Sequence, residues 1–154
     1  MKLSALYQIF LDCQLVTTDS RNCPEGSLFI ALKGESFNGN AFAAQALKDG
    51  CAYAIVDEAE YAPENNRHII LVDNCLQTLQ QLANYHRRQL GTKVIGITGT
   101  NGKTTTKELI SAVLSKSHNV LYTEGNLNNH IGVPMTLLRL KAEHEPVSYT
   151  HLRA

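Results

Sequence analysis

The stretch GTNGKTTT, residues 99–106, places glycines, one lysine and a run of hydroxyls between an apolar strand pattern and an amphipathic helix pattern. Glycines before a helix let consecutive backbone N–H groups converge on one anion without obstruction by side chains. Lys103 supplies a compact cation for the β- and γ-phosphates of a nucleotide. Thr104 places a hydroxyl at the helix start, where such loops hold Mg²⁺. The stretch therefore predicts a nucleotide-phosphate site.

The longer pattern GxxxxGK(S/T) is not matched, because Ile97 stands where its first glycine belongs. The alternative is a structural turn between a strand and a helix. Such a turn has no need for a lysine followed by hydroxyls, so the order of strand, loop and helix favours the phosphate site. Lys103 and Thr104 are the predicted catalytic residues, Thr104 is the predicted metal ligand, and the predicted nucleotide-binding set is Gly99, Thr100, Asn101, Gly102, Lys103, Thr104 and Thr105.

The elements before this loop predict a separate α/β domain. Three short apolar runs, at residues 27–34, 52–57 and 68–73, are typical of strands buried on both faces. A helical pattern lies between the first two runs, and apolar residues at three- and four-residue steps predict a helix over 76–90, with Gly91 as its stop. We therefore expect a first domain over residues 1–90.

A second α/β unit begins after that helix. We expect strands at 94–98 and 119–123, a helix after the glycine loop and another at 135–140. Residues 146–154 begin with a proline and show little apolar alternation, so they predict no further strand. The fold class is therefore α/β, with residues 91–154 forming the start of a P-loop-type, parallel-sheet domain that is truncated after two strands.

The composition is that of a globular protein with no electrostatic case for a nucleic-acid or membrane partner. Fourteen basic residues balance fourteen acidic ones, and 44% of the residues are hydrophobic. The apolar run at the N-terminus is too short for a secretory signal, and no stretch is long enough to span a membrane. We expect a cytoplasmic monomer.

Three separate segments carry a family resemblance. TGTNGKTTT is the form that the glycine loop takes in the Mur ligases, the ATP-dependent enzymes that form amide bonds in peptidoglycan precursors. TTDSR with the following PEGSLFIALKGESFNGNAF is similar to their uridine-nucleotide-binding N-terminal domain, and YTEGNLNNHIGVPMTLLRL also matches the family. The resemblance runs to about Leu140, and the last nine residues depart from the family pattern.

The resemblance implies a ligase that uses ATP and Mg²⁺ to join D-alanyl-D-alanine to UDP-N-acetylmuramoyl-tripeptide through an acyl phosphate. Residues 1–90 would bind the UDP substrate and 91–154 would begin the ATP-binding domain. It also implies a set of substrate-binding residues: Asp19, Ser20, Arg21, Gly34, Asn38, Gly39, Asn126, Asn128 and Asn129. Asp19 to Arg21 offer an acceptor, a hydroxyl and guanidinium donors, which suit a uracil edge or a diphosphate.

Several alternatives stay open at this level. From the residues alone, Asp19 to Arg21 could form a solvated turn, and the asparagine-containing loop could be polar filler. Within the family, the relative that adds the third peptide residue shares the same N-terminal domain and ATP chemistry. A nucleotide-binding module without ligase activity is a further possibility. The resemblance implies a metal ligand, an adenine site and an amine-presenting domain beyond these residues, so we expect no ligation by this chain alone.

Overall fold

The computed structural model describes residues 2–124 and 127–150, with backbone only for 146–150. The chain divides into two compact units, Met1–Leu82 and a second that begins at Ala83. The sequence predicts a domain boundary between residues 90 and 91, at the end of a helix that also contains residues 82 and 83. The boundary at 90/91 stays a prediction. In the described ranges, no helix is long and apolar enough to cross a membrane.

The first unit is a parallel sheet flanked by helices, as the apolar runs predict. Its strands pair in the order β1-β2-β3-β4, all parallel. The elements are α1 (Leu3–Cys13), β1 (Val16–Thr17), β2 (Leu28–Ile30), α2 (Ala43–Lys48), β3 (Tyr53–Val56), β4 (Ile69–Leu71) and α3 (Cys75–Leu90), with 3₁₀ turns at Gly39–Phe42 and Ala59–Tyr61. The predicted α/β class is confirmed. Strand β1 was not predicted, because two residues are too few to form a pattern.

The central strands of this unit are covered on both faces. Every residue of β2 is buried, and three of the four in β3 are buried as well. Apolar side chains without solvent exposure come from these strands and from the flanking helices: Leu28, Phe29, Ile30, Ala46, Ala54, Ile55, Val56, Leu79 and Leu82. Continuous apolar runs are therefore the correct signature here, since a parallel sheet carries helices on both sides.

A polar network closes the carboxyl-terminal edge of this sheet. Asp57, directly after β3, accepts hydrogen bonds from the fully buried Asn40 side chain at 2.9 Å and from the backbone N–H of Cys75 at 3.0 Å. Lys33 lies 3.0 Å from the same carboxylate. Burial opposes ionisation, but these hydrogen bonds outweigh it and lower the pKa of Asp57. The network joins the ends of β2 and β3 to the start of α3.

The second unit has a three-stranded parallel sheet in the order β5-β7-β6. Its elements are β5 (Lys93–Ile97), α4 (Lys103–Leu114), β6 (Leu121–Tyr122), α5 (Gly132–Leu137) and β7 (Pro146–Thr150). The prediction of two strands was wrong, because β7 pairs with both others. A proline at the first residue of a strand leaves the following ladder intact, so Pro146 did not exclude a strand.

Helix α5 begins earlier than the predicted 135–140 helix. Gly132 is its first residue, and a side chain there would meet the Leu127 backbone at 2.7 Å. Pro134 falls in the first turn, where the missing N–H of proline has no intrahelical partner to lose. The close contact between Gly132 and the Leu127 backbone thus requires glycine at the first residue of α5.

Replacing Asp57 with asparagine should destabilise the first unit by about 1–3 kcal/mol, because an amide cannot accept all the donors that converge on this carboxylate. Because its pKa is lowered, the carboxylate contributes stability above the ordinary aspartate pKa, and that contribution is lost as the pH falls through the folded pKa. Urea unfolding at neutral pH, followed by NMR cross-peaks of residues 2–82, measures the change. Glu58→Gln, an adjacent carboxylate that also contacts Lys33, is the control. Equal stability of both variants would contradict the argument.

Candidate functional site

The glycine loop connects β5 to α4 in the second unit. Gly99 has φ 151° and Gly102 has φ 75°, both in the region that side chains disfavour. Gly102 is the N-cap of α4, and the first turn contains no acidic residue. The first N–H groups of a helix have no intrahelical acceptor, and they carry the positive end of the helix dipole. The loop therefore meets the backbone requirement of an anion cradle.

Lys103 lies over this loop. Its Nζ donates hydrogen bonds to the carbonyl oxygens of Gly99 and, at 3.5 Å, Thr100. Asn101, Thr104 and Thr105 are exposed around it. The ammonium group is thus held by carbonyls of the glycine loop itself, and its predicted contact with phosphate stays a prediction. The hydroxyl of Thr104 is accessible at the helix start, but metal binding there stays a prediction.

The asparagine-containing segment after β6 lies partly outside the described residues. Asn126 is among those not described. Asn128 is half-buried, and the side-chain oxygen of Asn129 accepts hydrogen bonds from the N–H groups of Ile131 at 3.0 Å and Gly132 at 2.8 Å. Asn129 therefore has a structural task at the start of α5, and its predicted contact with substrate stays untested.

In the first unit, Asp19 and Arg21 form a two-point ion pair in the turn after β1. Arg21 Nε lies 2.9 Å from Asp19 Oδ1, and Arg21 Nη2 lies 2.9 Å from Oδ2. The backbone N–H of Arg21 also donates to Asp19 Oδ1 at 3.0 Å. The side-chain hydrogen bond from Arg21 and then the backbone one lower the pKa of Asp19 to about 2. The carboxylate is thus used mainly to orient Arg21, whose side chain is 87% exposed.

An open cleft of about 560 Å³ lies beside this turn. Its polar side consists of Thr18, Asp19, Ser20 and Arg21, and its apolar side consists of Phe37 and Phe42. The two phenyl rings are stacked, with centroids 5.2 Å apart and planes 13° apart. Both side chains are exposed at 45% and 39%, which is unusual for phenylalanine. The cleft thus offers hydrogen-bond donors on one side and a flat aromatic surface on the other.

Of the lining residues, the sequence singled out Asp19, Ser20 and Arg21, whose predicted contact with substrate stays untested, and it missed the two phenylalanines. They are the first and last residues of the segment FNGNAF, and the spacing of two aromatic residues around a predicted turn was the available signal. The sequence indicated a turn here and gave no role to its two aromatic residues, whereas in the structure Phe42 ends a 3₁₀ turn over Gly39–Phe42 and its ring stacks on that of Phe37.

The remaining predicted residues, Gly34, Asn38 and Gly39, shape the turn that carries Phe37. Gly34 N–H donates to Phe37 O at 2.8 Å. Asn38 accepts from the Asn40 N–H at 3.0 Å and donates to Glu58 at 2.8 Å. Gly39 is buried, and a side chain there would meet Leu32 O at 2.5 Å. Their described contacts are with the protein itself, and their predicted contact with substrate stays untested.

Two sequence models of one family match this chain. The Mur ligase family, catalytic domain, matches residues 12–87, and the Mur ligase middle domain matches residues 97–147. The two matches together include the turn at Asp19, the glycine loop and the asparagine-containing segment. The chain belongs to the Mur ligase family.

Named relatives agree with this assignment. The UDP-N-acetylmuramoyl-tripeptide–D-alanyl-D-alanine ligase of Bacillus subtilis (strain 168) is 48% identical over 130 residues, which are 84% of this chain and 28% of the relative. A structure of MurF from Acinetobacter baumannii superimposes with a TM-score of 0.81 at 38% identity over 94% of this chain and 34% of that one. The structure of MurF ligase from Thermotoga maritima in complex with ADP superimposes with a TM-score of 0.80 at 31% identity. The match covers 91% of this chain and 32% of that one. The chain spans under a third of the length of its curated relatives.

Arg21→Ala should raise the pKa of Asp19 from about 2 toward the ordinary value of about 3.9, since the side-chain hydrogen bonds that favour the carboxylate are lost. A ¹³C NMR titration of the carboxyl group measures this pKa. Because the native pKa is lowered, the ion pair is fully formed above the ordinary value and breaks as the pH falls through about 2. Arg67→Ala, an exposed arginine of the same unit, should leave the titration unchanged. A low pKa retained in Arg21→Ala would contradict the assignment.

Proposed function

We propose that this chain holds the UDP-substrate-binding and phosphate-binding parts of an ATP-dependent ligase that joins D-alanyl-D-alanine to UDP-N-acetylmuramoyl-tripeptide. The carrying observation is the glycine loop of the second unit, where Gly99 and Gly102 adopt positive φ and Lys103 lies over the loop at the start of α4. The name of the 48%-identical relative supports the substrates, and the relative in complex with ADP supports the nucleotide.

The proposed reaction needs a carboxylate oxygen to become a leaving group. ATP transfers its γ-phosphoryl group to the carboxylate of the UDP-linked peptide, which gives ADP and an acyl phosphate. The amine of the dipeptide then attacks the acyl carbon, the amide bond forms, and inorganic phosphate leaves. Phosphoryl transfer of this kind depends mainly on position and charge stabilisation rather than on covalent chemistry by the protein.

The residues of the loop fit the first of these steps. The backbone N–H groups of the first turn of α4 would bind phosphate oxygens, and Lys103 would exchange its contacts with Gly99 and Thr100 for the β- and γ-phosphates. The exposed hydroxyl of Thr104 suits Mg²⁺, which takes few protein oxygens and completes its shell with phosphate and water. Mg²⁺ would neutralise the charge that develops on the transferring group.

The cleft of the first unit fits the nucleotide part of the other substrate. The stacked Phe37 and Phe42 rings provide a surface on which a pyrimidine ring can stack, and the exposed guanidinium of Arg21 suits a diphosphate. Ser20 adds a hydroxyl at the same wall. We further propose a cytoplasmic location, where ATP is available. The monomeric state stays a prediction.

Lys103→Ala should weaken ADP binding by about 10- to 100-fold, because the charge-assisted hydrogen bonds to phosphate are lost. Calorimetric titration of ADP with Mg²⁺ into the full chain measures the affinity. Thr104→Ala should reduce the gain that Mg²⁺ gives and spare much of the metal-free binding. Lys116→Ala, an exposed lysine beyond the end of α4, is the matched control. Equal affinity in Lys103→Ala and the wild type would mean that the loop is only structural.

Phe37→Ala and Arg21→Ala should each weaken UDP binding by about 5- to 100-fold, since stacking and a charged hydrogen bond are each worth a few kcal/mol. Amide shift changes on adding UDP should cluster at Ser20, Arg21, Phe37 and Phe42. Arg67→Ala is the control for the loss of one positive charge in the same unit. Shift changes confined to residues beyond Ala83 would contradict the assignment of UDP to this cleft.

A further inference from the structure

Lys107, on α4, is a fully buried lysine in the second unit. Its Nζ donates a hydrogen bond to the carbonyl oxygen of Thr123, lies 3.0 Å from Glu108 Oε1, and is 5.8 Å from the centroid of the Tyr122 ring. Lysine is among the residues least often found fully buried, because its charge must be taken out of water. The burial of Lys107 is therefore not explained by packing alone.

The buried positions of α4 carry polar side chains. The buried residues of this helix are Lys107 and Ser111, whereas Leu109 and Val113 are 64% and 69% exposed. A helix normally buries its apolar stripe. Among the described side chains, Ser111 Oγ and Thr123 Oγ1 are buried without a hydrogen-bond partner. This polar contact between α4 and the end of β6 is thus retained at a cost in stability.

The position of Lys107 relates it to the phosphate loop. It stands four residues after Lys103, so the two side chains share one face of α4. Lys103 contacts the carbonyls of Gly99 and Thr100, which follow β5, whereas Lys107 contacts the carbonyl of Thr123, which follows β6. One helix face therefore contacts the segments that follow two strands of the same sheet.

Two described residues that follow Thr123, Glu124 and Asn129, form contacts of their own. Glu124 forms an ion pair with Arg139 at 2.8 Å, and Asn129 accepts two backbone hydrogen bonds at the start of α5. Because Glu124 is the next residue, a displacement of Thr123 would also move a residue that is ion-paired with Arg139.

We propose that Lys107 is a positioning residue that joins the phosphate-loop helix to Thr123, directly after β6, so that binding of a nucleotide phosphate at the loop changes the environment of Thr123, Glu124 and Asn128. The proposal rests on the phosphate binding proposed above. Lys107 is buried, so it does not contact the phosphate. It acts through the helix, whose first turn contacts the phosphate, and through the Thr123 carbonyl that it holds.

The test is an NMR titration of ADP with Mg²⁺ into the full chain, with Lys107→Met and Lys107→Arg as variants. In the wild type, we expect shift changes at the loop and also at the amides of Glu124 and Asn128. Lys107→Met has similar length and no charge, and it should keep the loop shifts and an ADP affinity within about fivefold, while the shifts at Glu124 and Asn128 are lost. Lys107→Arg should restore them.

A purely structural role predicts a different result, in which Lys107→Met lowers stability but leaves the shifts at Glu124 and Asn128 unchanged. That result would overturn the proposal. So would a wild-type titration in which the loop responds to ADP and those two amides do not, a measurement that needs no variant to fold. Failure of the proposed phosphate binding gives a different result. The amides of the wild-type loop would then show no shift changes with ADP, or Lys103→Ala would show the same changes as the wild type. Either result would also overturn the positioning role of Lys107.

Discussion

Parallel pairing of the strands is the constraint on which both units depend. In the first unit β1 to β4 all run in one direction, so the residues that follow them meet at one edge of the sheet. The turn at Asp19, the segment from Lys33 to Phe42 and the carboxylate of Asp57 all lie after these strand ends. In the second unit the glycine loop follows β5 and Thr123 follows β6 in the same way. Ligand sites in open parallel sheets form at this edge.

Buried polar groups at that edge must also find hydrogen-bond partners, and the sequence did not predict those partners. The geometry of the glycine loop could be predicted from the sequence because it is local: Gly99 and Gly102 adopt the positive φ that their residue type permits, and Lys103 directly follows Gly102. The contact of Asn40 with Asp57 joins residues seventeen apart, and no periodic pattern encodes it. The same holds for Phe37 and Phe42, whose stacking depends on an irregular turn.

The outcome for the second sheet shows a different limit. A proline and weak apolar alternation argued against a strand at 146–150, yet β7 lies between β5 and β6. Strand β7 forms because its backbone pairs with two neighbouring strands. The alternation of apolar and polar residues indicates only how side chains are distributed between the two faces of a sheet. Buried Lys107 is similar, since helical periodicity does not predict a lysine among the buried residues of α4. Periodicity predicts elements well and predicts their packing partners poorly.

The described hydrogen bonds also separate polar groups that shape the protein from those that remain able to bind. Asn38 and Asn129 have their side-chain oxygens engaged by backbone N–H groups, so a ligand at either oxygen must compete with a bond already formed. Arg21 uses one edge of its guanidinium on Asp19 and keeps the rest in solvent. In the described part of the chain, Lys103 donates only to loop carbonyls. These are neutral acceptors, and a phosphate oxygen would be a stronger, charged one. The proposed binding capacity therefore rests on Arg21 and Lys103 more than on the asparagines, although the sequence alone ranks them together.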